Sequence, residues 1–163
     1  NSPIPLTVDL HWNIVRKNTA SLDIQEFWKA AVSIDSFQHI MELTNYHTFY
    51  MMILHGWRHN LQSIKHVLDI AQVIDVCKDE LDYDRLLRNA AVHQTAKRVI
   101  RTLSIVYEQL PYLNHIKPLP YKRKKPWWDH KYIHFIDYQF LSYDTIKHSF
   151  TELIQWIHSF AFK

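Results

Sequence analysis

The sequence predicts a mainly α protein, a helical bundle with one or two short strands at its N-terminal edge. Three observations predict it. Apolar residues recur with the helical period in four segments of the chain. Glycine is nearly absent: Gly56 is the only one in 163 residues, which argues against hairpin-rich β folds that lean on glycine turns. Apolar residues make up 47% of the chain and charged ones 21%, the balance of a globular chain with enough residues for a core. Residues 1–163 read as a single helical domain.

The elements follow in order. TVDLHW (7–12) alternates apolar and polar and suits a short strand. Asp23 can cap a helix running DIQEFWKAAVSI, with Ile24, Phe27, Trp28 and Ala31 on one stripe. FQHIMEL (37–43) alternates again and reads as extended. Thr44 or Asn45 then opens a long helical stretch to Lys78. Asp82 or Asp84 opens YDRLLRNAAVHQTAKRVIRTLSIVYEQL, with a break expected near His93 and an end at Pro111. Residues 117–132 hold three prolines and a basic cluster and read as a loop. Residues 144–161 form a closing amphipathic helix, with Ile146, Phe150, Leu153, Ile154, Ile157 and Phe160 on its apolar stripe.

Composition also excludes functions. With one glycine there is no glycine-rich phosphate loop and no dinucleotide fingerprint in these residues. The single cysteine, Cys77, makes no internal disulfide and fits a cytoplasmic setting. No apolar run approaches the roughly 18 residues of a membrane span, so no membrane partner is expected. A formal net charge of +3 neither requires nor excludes nucleic acid.

The stretch HGWRHNLQSIKHVLDIA (55–71) carries three histidines and an aspartate in helical phase. His55, His59, Gln62, His66 and Asp69 fall on one side of a helical wheel; Ile53, Trp57, Leu61, Ile64, Leu68 and Ala71 fall opposite. His55 and His59 have the spacing of the zinc motif HExxH, but Gly56 stands where its glutamate base belongs. On a continuous helix His66 lies about 16 Å beyond His55, out of reach of a shared ion. Only a break near Asn60, folding the stretch into a helical hairpin, brings His66 or Asp69 back. On this reading the chain alone holds no metal.

This stretch resembles the helical core of a bacterial family of uncharacterised nucleotidyltransferases, with its pattern of H-G-x-x-H, a Leu-rich turn and D-[IV]-A. VDLHW (8–12) resembles the family's acidic–Leu–His–Trp strand, and DYDRLLRNAAVHQTAKRVIRTLSIVYEQLP its later helices. The resemblance covers about residues 7–112. It implies the polymerase-β-like nucleotidyltransferase fold, in which a Gly-Ser turn, an Asp-x-Asp pair and a third carboxylate hold two Mg2+ ions. An NTP and an unknown acceptor are the implied partners, and transfer of a nucleotidyl group the implied activity.

The sequence departs from that pattern: no Gly-Ser turn and no Asp-x-Asp precede VDLHW. The expectation is therefore the C-terminal part of a longer protein, catalytically inactive alone and without a cofactor of its own. Asp9 matches the position of the third carboxylate; it is otherwise an ordinary polar strand residue. Alternation puts Asp9 and His11 on one strand face, towards a cleft or solvent. His11, His55, His59 and Asp69 are expected in a polar network, with Asp69 accepting from a histidine, or in a cleft wall.

Lys122, Arg123, Lys124 and Lys125 are consecutive cations beside Tyr121, Trp127 and Trp128. They read as a solvated loop pinned to the core by the two tryptophans, or as phosphate contacts. Two rivals to the transferase complete the reading: a non-enzymatic helical interaction module, and a metal hydrolase using His55 and His59.

Overall fold

The structure, a computed structural model, describes residues 13–15, 19–34, 37, 39–59, 61 and 63–122, with Ile154 and Ile157 near the C-terminus. Among the described residues it is a bundle of six helices with a two-strand antiparallel hairpin. The order is α1 (Ile24–Ala30), β1 (Val32–Ser33), β2 (Met41–Glu42), α2 (Asn45–Arg58), α3 (Ile64–Cys77), α4 (Tyr83–Val92), α5 (Ala96–Gln109) and α6 (Leu113–Ile116). No helix among these residues is long and apolar enough to cross a membrane. The strand expected at 7–12 lies outside the described residues.

Caps explain where most helices begin. Asp23 accepts from the Gln25 N–H at 2.9 Å and Asp82 from the Arg85 N–H at 2.8 Å. Ser63 accepts from Lys65 N–H at 3.2 Å. The helix expected over 23–34 is shorter than its apolar stripe suggests. Ala31 leaves the helical region, and Val32 pairs with Glu42 and Ser33 with Met41. Between them Ile34 N–H donates to Ile40 O at 3.1 Å, so only the end of FQHIMEL is strand.

Helix α2 is the centre of the bundle, packed on α3 and on α5. It buries Phe49, Tyr50, Ile53 and Leu54. Phe27 of α1 lies over this face, its ring 4.8 Å from that of His47 and 6.0 Å from that of Tyr50. The Tyr50 hydroxyl is 2.5 Å from Thr95 Oγ1 and 3.1 Å from His93 Nδ1, and His93 Nε2 is 3.0 Å from Glu26. Burial pushes the Tyr50 phenol up to about 12, so it stays a neutral hydroxyl. This chain of side chains ties α1 to the corner between α4 and α5. The corner is the break expected near His93, and Gln94 takes a left-handed φ of 60° there.

The long helix expected from Asn45 to Lys78 is instead two helices. His59 caps α2, Leu61 donates its N–H to Gly56 O at 2.9 Å, and Leu61 takes a left-handed φ of 48°. The chain then reverses into α3, which lies on α2. The break also turns the buried face. Ile64 and Leu68, expected on the apolar side, are 64% and 50% exposed, while Val67, Ile70, Ala71 and Ile74 are buried.

Gly56 permits the close approach. A Cβ built there would stand 2.9 Å from Leu61 Cδ2 and 3.3 Å from Ile70 Cδ1. Both neighbours are ends of flexible side chains, so Gly56→Ala should be near neutral, its steric cost offset by a helix-propensity gain of about 1 kcal/mol. Gly56→Val adds bulk that cannot turn away. It should cost about 2 kcal/mol or more, read as a fall in the urea midpoint at unchanged m. A Val variant as stable as the parent would show that α2 and α3 tolerate a wider separation.

Pro111 follows the end of α5 as expected, but the short α6 after it was not anticipated. The Tyr107 hydroxyl meets that of Tyr83 at 2.7 Å and donates to Lys117 O at 2.5 Å, holding α6 against the bundle. Of the closing helix expected over 144–161, Ile154 and Ile157 are described. Both are helical and both are about half exposed, rather than turned into a core.

Candidate functional site

A cavity of about 580 Å³ opens between α1, the hairpin, α2 and α3. Phe27 and Trp28 from α1, Met41 and Leu43 from the hairpin, and Met51 and Met52 from α2 make its apolar lining. Its polar residues include His55 and Arg58 at the end of α2, and Lys65, His66 and Asp69 at the start of α3. Methionine suits such a wall, because its unbranched chain adapts to different occupants. Trp28, expected on a buried stripe, is 54% exposed and contributes to the cavity.

The polar rim exists because the chain breaks after His59. The break brings His66 back beside His55 and His59, the condition under which the spacing argument against a shared ligand fails. Ring centroids are 4.5 Å apart for His55 and His59, 5.5 Å for His55 and His66, and 5.3 Å for His59 and His66. Burial pushes the His66 imidazole below the usual histidine range, and neighbouring His59 pushes it further down. Its Nδ1 is buried with no hydrogen-bond partner among the described residues.

Among the described residues the carboxylate of Asp69 accepts from Lys65 Nζ, at 2.5 Å and one helical turn away, and no histidine donates to it. Asp69, His55 and His66 share the cavity wall, while His59 is not part of the lining and its ring contacts those of His55 and His66.

Asp9, His11, Arg123, Lys124 and Lys125 lie outside the described residues. Lys122 is described; it is exposed and does not line the cavity. Beside it the Tyr121 hydroxyl donates to Ile100 O at 3.2 Å, so the start of the basic loop is pinned to α5 by an aromatic residue.

An Asp-x-Asp spelling does occur at Asp82-Tyr83-Asp84, where it serves a helix end. Asp82 caps α4, and the Arg85 N–H it accepts holds its carboxyl below the usual range. Magnesium takes hard oxygen ligands in near-octahedral order. Among the described residues the cavity wall offers one carboxylate, Asp69, already paired with Lys65. As they stand, no three His, Cys, Asp or Glu side chains among the described residues are gathered to hold an ion. The described residues therefore do not fit a magnesium ion.

The fold and cavity define a helical scaffold with an apolar, cation-rimmed pocket. The chain belongs to the family of uncharacterised nucleotidyltransferases, whose signature matches residues 3–111 of the 163. No curated protein and no solved structure matches it.

Proposed function

We propose that this chain works in nucleotidyl transfer from an NTP to an acceptor, and that the cavity between α1, α2 and α3 receives the nucleotide. Family membership over residues 3–111 is the observation that carries this reading. The chemistry of the cavity supports it. A nucleobase has a flat, largely apolar face, which suits Phe27, Trp28 and the methionines. A triphosphate is a polyanion, which suits Arg58 and Lys65 at the rim.

In this reading the metal chemistry of transfer belongs to magnesium on carboxylates outside the described residues, Asp9 among them. The 163-residue sequence contains no Gly-Ser turn and no Asp-x-Asp pair ahead of VDLHW. A cytoplasmic setting, where NTPs are available, accords with the lone buried thiol of Cys77. The test is transfer itself. The protein as the cell makes it is incubated with labelled NTPs, magnesium and a cell extract as acceptor source. Covalent labelling that depends on the protein and on magnesium is expected. No labelling with any of the four NTPs would count against transferase activity.

A further inference from the structure

We propose that His66 is a further contact to the triphosphate, and that its imidazole takes up a proton as the nucleotide binds. The inference rests on the nucleotide reading of the same cavity. To the permanent cations Arg58 and Lys65 it adds one that exists only in the bound state.

Placement comes first. His66 lines the cavity from the start of α3, and the two permanent cations of the wall come from the same meeting of helix ends, Arg58 from the end of α2 and Lys65 from α3. Its ring lies 5.5 Å from that of His55, edge-on, and 5.3 Å from that of His59, stacked. The second observation is its Nδ1, which is buried and has no hydrogen-bond partner among the described residues. No acceptor there fixes a proton on that nitrogen, so the charged form gains nothing from it.

The charged and titratable groups around the ring come from two helices. Helix α2 brings His55 and Arg58, with His59 at its cap, and α3 brings Lys65 and Asp69. Among the described residues α1 and the hairpin line the cavity with apolar side chains only. Asp69 favours the imidazolium, but its carboxylate is held by Lys65, which opposes it. Burial and then His59 drive the proton off, so the free chain holds His66 largely neutral at about pH 7.

A triphosphate reverses that balance. Its negative oxygens favour the charged ring, and the proton, drawn from solvent, turns a ring nitrogen into a charge-assisted donor to phosphate. The bound-state pKa then lies above the free-state one. Binding is strongest below the free value and weakens as pH rises through the bound value, by at most about tenfold per pH unit for one proton.

The experiment is calorimetric titration of the 163-residue chain with ATP, GTP, CTP and UTP at about pH 7 and about pH 8.5, in two buffers of different ionisation enthalpy, which counts the protons exchanged. The second pKa of a phosphate group is about 6, so the ligand is already ionised over this range. For the tightest binder, uptake of about half a proton or more is expected at about pH 7, with affinity about threefold to tenfold weaker at about pH 8.5. His66→Gln and His66→Asn should each abolish the uptake and flatten the pH dependence, with the circular dichroism of the parent. His115→Gln, exposed and outside the cavity, should keep both. Binding without proton uptake, or uptake that survives both His66 variants, would overturn the role of His66 and leave the nucleotide reading standing. Absence of binding by all four would overturn that reading and this contact together.

Discussion

In the protein as the cell makes it, Asp9→Asn is expected to lower NTP-dependent labelling of the acceptor by at least about a hundredfold, with folding intact. The two readings of Asp9 differ in size. An ordinary polar surface residue costs little to neutralise, within about half a kcal/mol of stability and with no effect on rate. A carboxylate that helps hold a catalytic ion, or draws the proton from the acceptor hydroxyl, contributes orders of magnitude in rate. The side chains of Asp and Asn have nearly the same shape, so the substitution removes charge and leaves packing. The measurement is initial rate of label transfer, with circular dichroism of the variant as the control for folding. Parent-like transfer would remove Asp9 from the reaction.

Arg98→Ala should produce the largest loss of stability in the bundle, about 3 kcal/mol or more. Arg98 is 1% exposed on α5, an unusual place for a guanidinium. Its Nη2 donates to Thr19 O at 2.8 Å, and its guanidinium carbon lies 4.6 Å from the centre of the Trp57 ring. It therefore joins three parts of the chain: the segment before α1, the end of α2, and α5. Truncation leaves the buried Thr19 carbonyl without this donor and opens a cavity against Trp57. Arg98→Lys should recover only part of the loss, because an ammonium cannot present the planar fork to both partners. Urea unfolding of the three proteins measures this. A loss below about 1 kcal/mol in the alanine variant would show that the N-terminal segment does not depend on this contact.

Much of the bundle was readable from local signals. Asp23 caps the helix it can cap by its position, Asp82 is the one of the two candidates Asp82 and Asp84 that caps α4, and Pro111 stands just past the end of α5. These features depend on one residue and its near neighbours, which is why periodicity and capping rules find them. The reversal after His59 has no such signal. Neither proline nor glycine stands at Leu61, a non-glycine residue in the left-handed region. The turn there is sustained by α3 lying back on α2, a close packing that leaves no room at Gly56, several residues earlier, for a side chain larger than a methyl group. A wheel drawn through 55–71 as one helix therefore puts Ile64 and Leu68 on the wrong side and separates His66 from His55. The cavity was hidden for the same reason. Its wall joins residues from α1, the hairpin, α2 and α3, and no spacing within one segment encodes that meeting. The chemistry of 55–71 as a site was legible only as a condition, a break near Asn60, and the fold supplies the break.

The claim that the cavity between α1, α2 and α3 receives a nucleotide is tested most directly by calorimetric titration of the 163-residue chain with ATP, GTP, CTP and UTP. Saturable binding of at least one NTP is predicted, weakened about tenfold or more when Arg58→Ala and Lys65→Ala are combined, since both cations line the proposed nucleotide cavity and both side chains are exposed enough to be removed without unfolding the bundle. Absence of binding by any of the four, or binding of equal strength in the double variant, would contradict it.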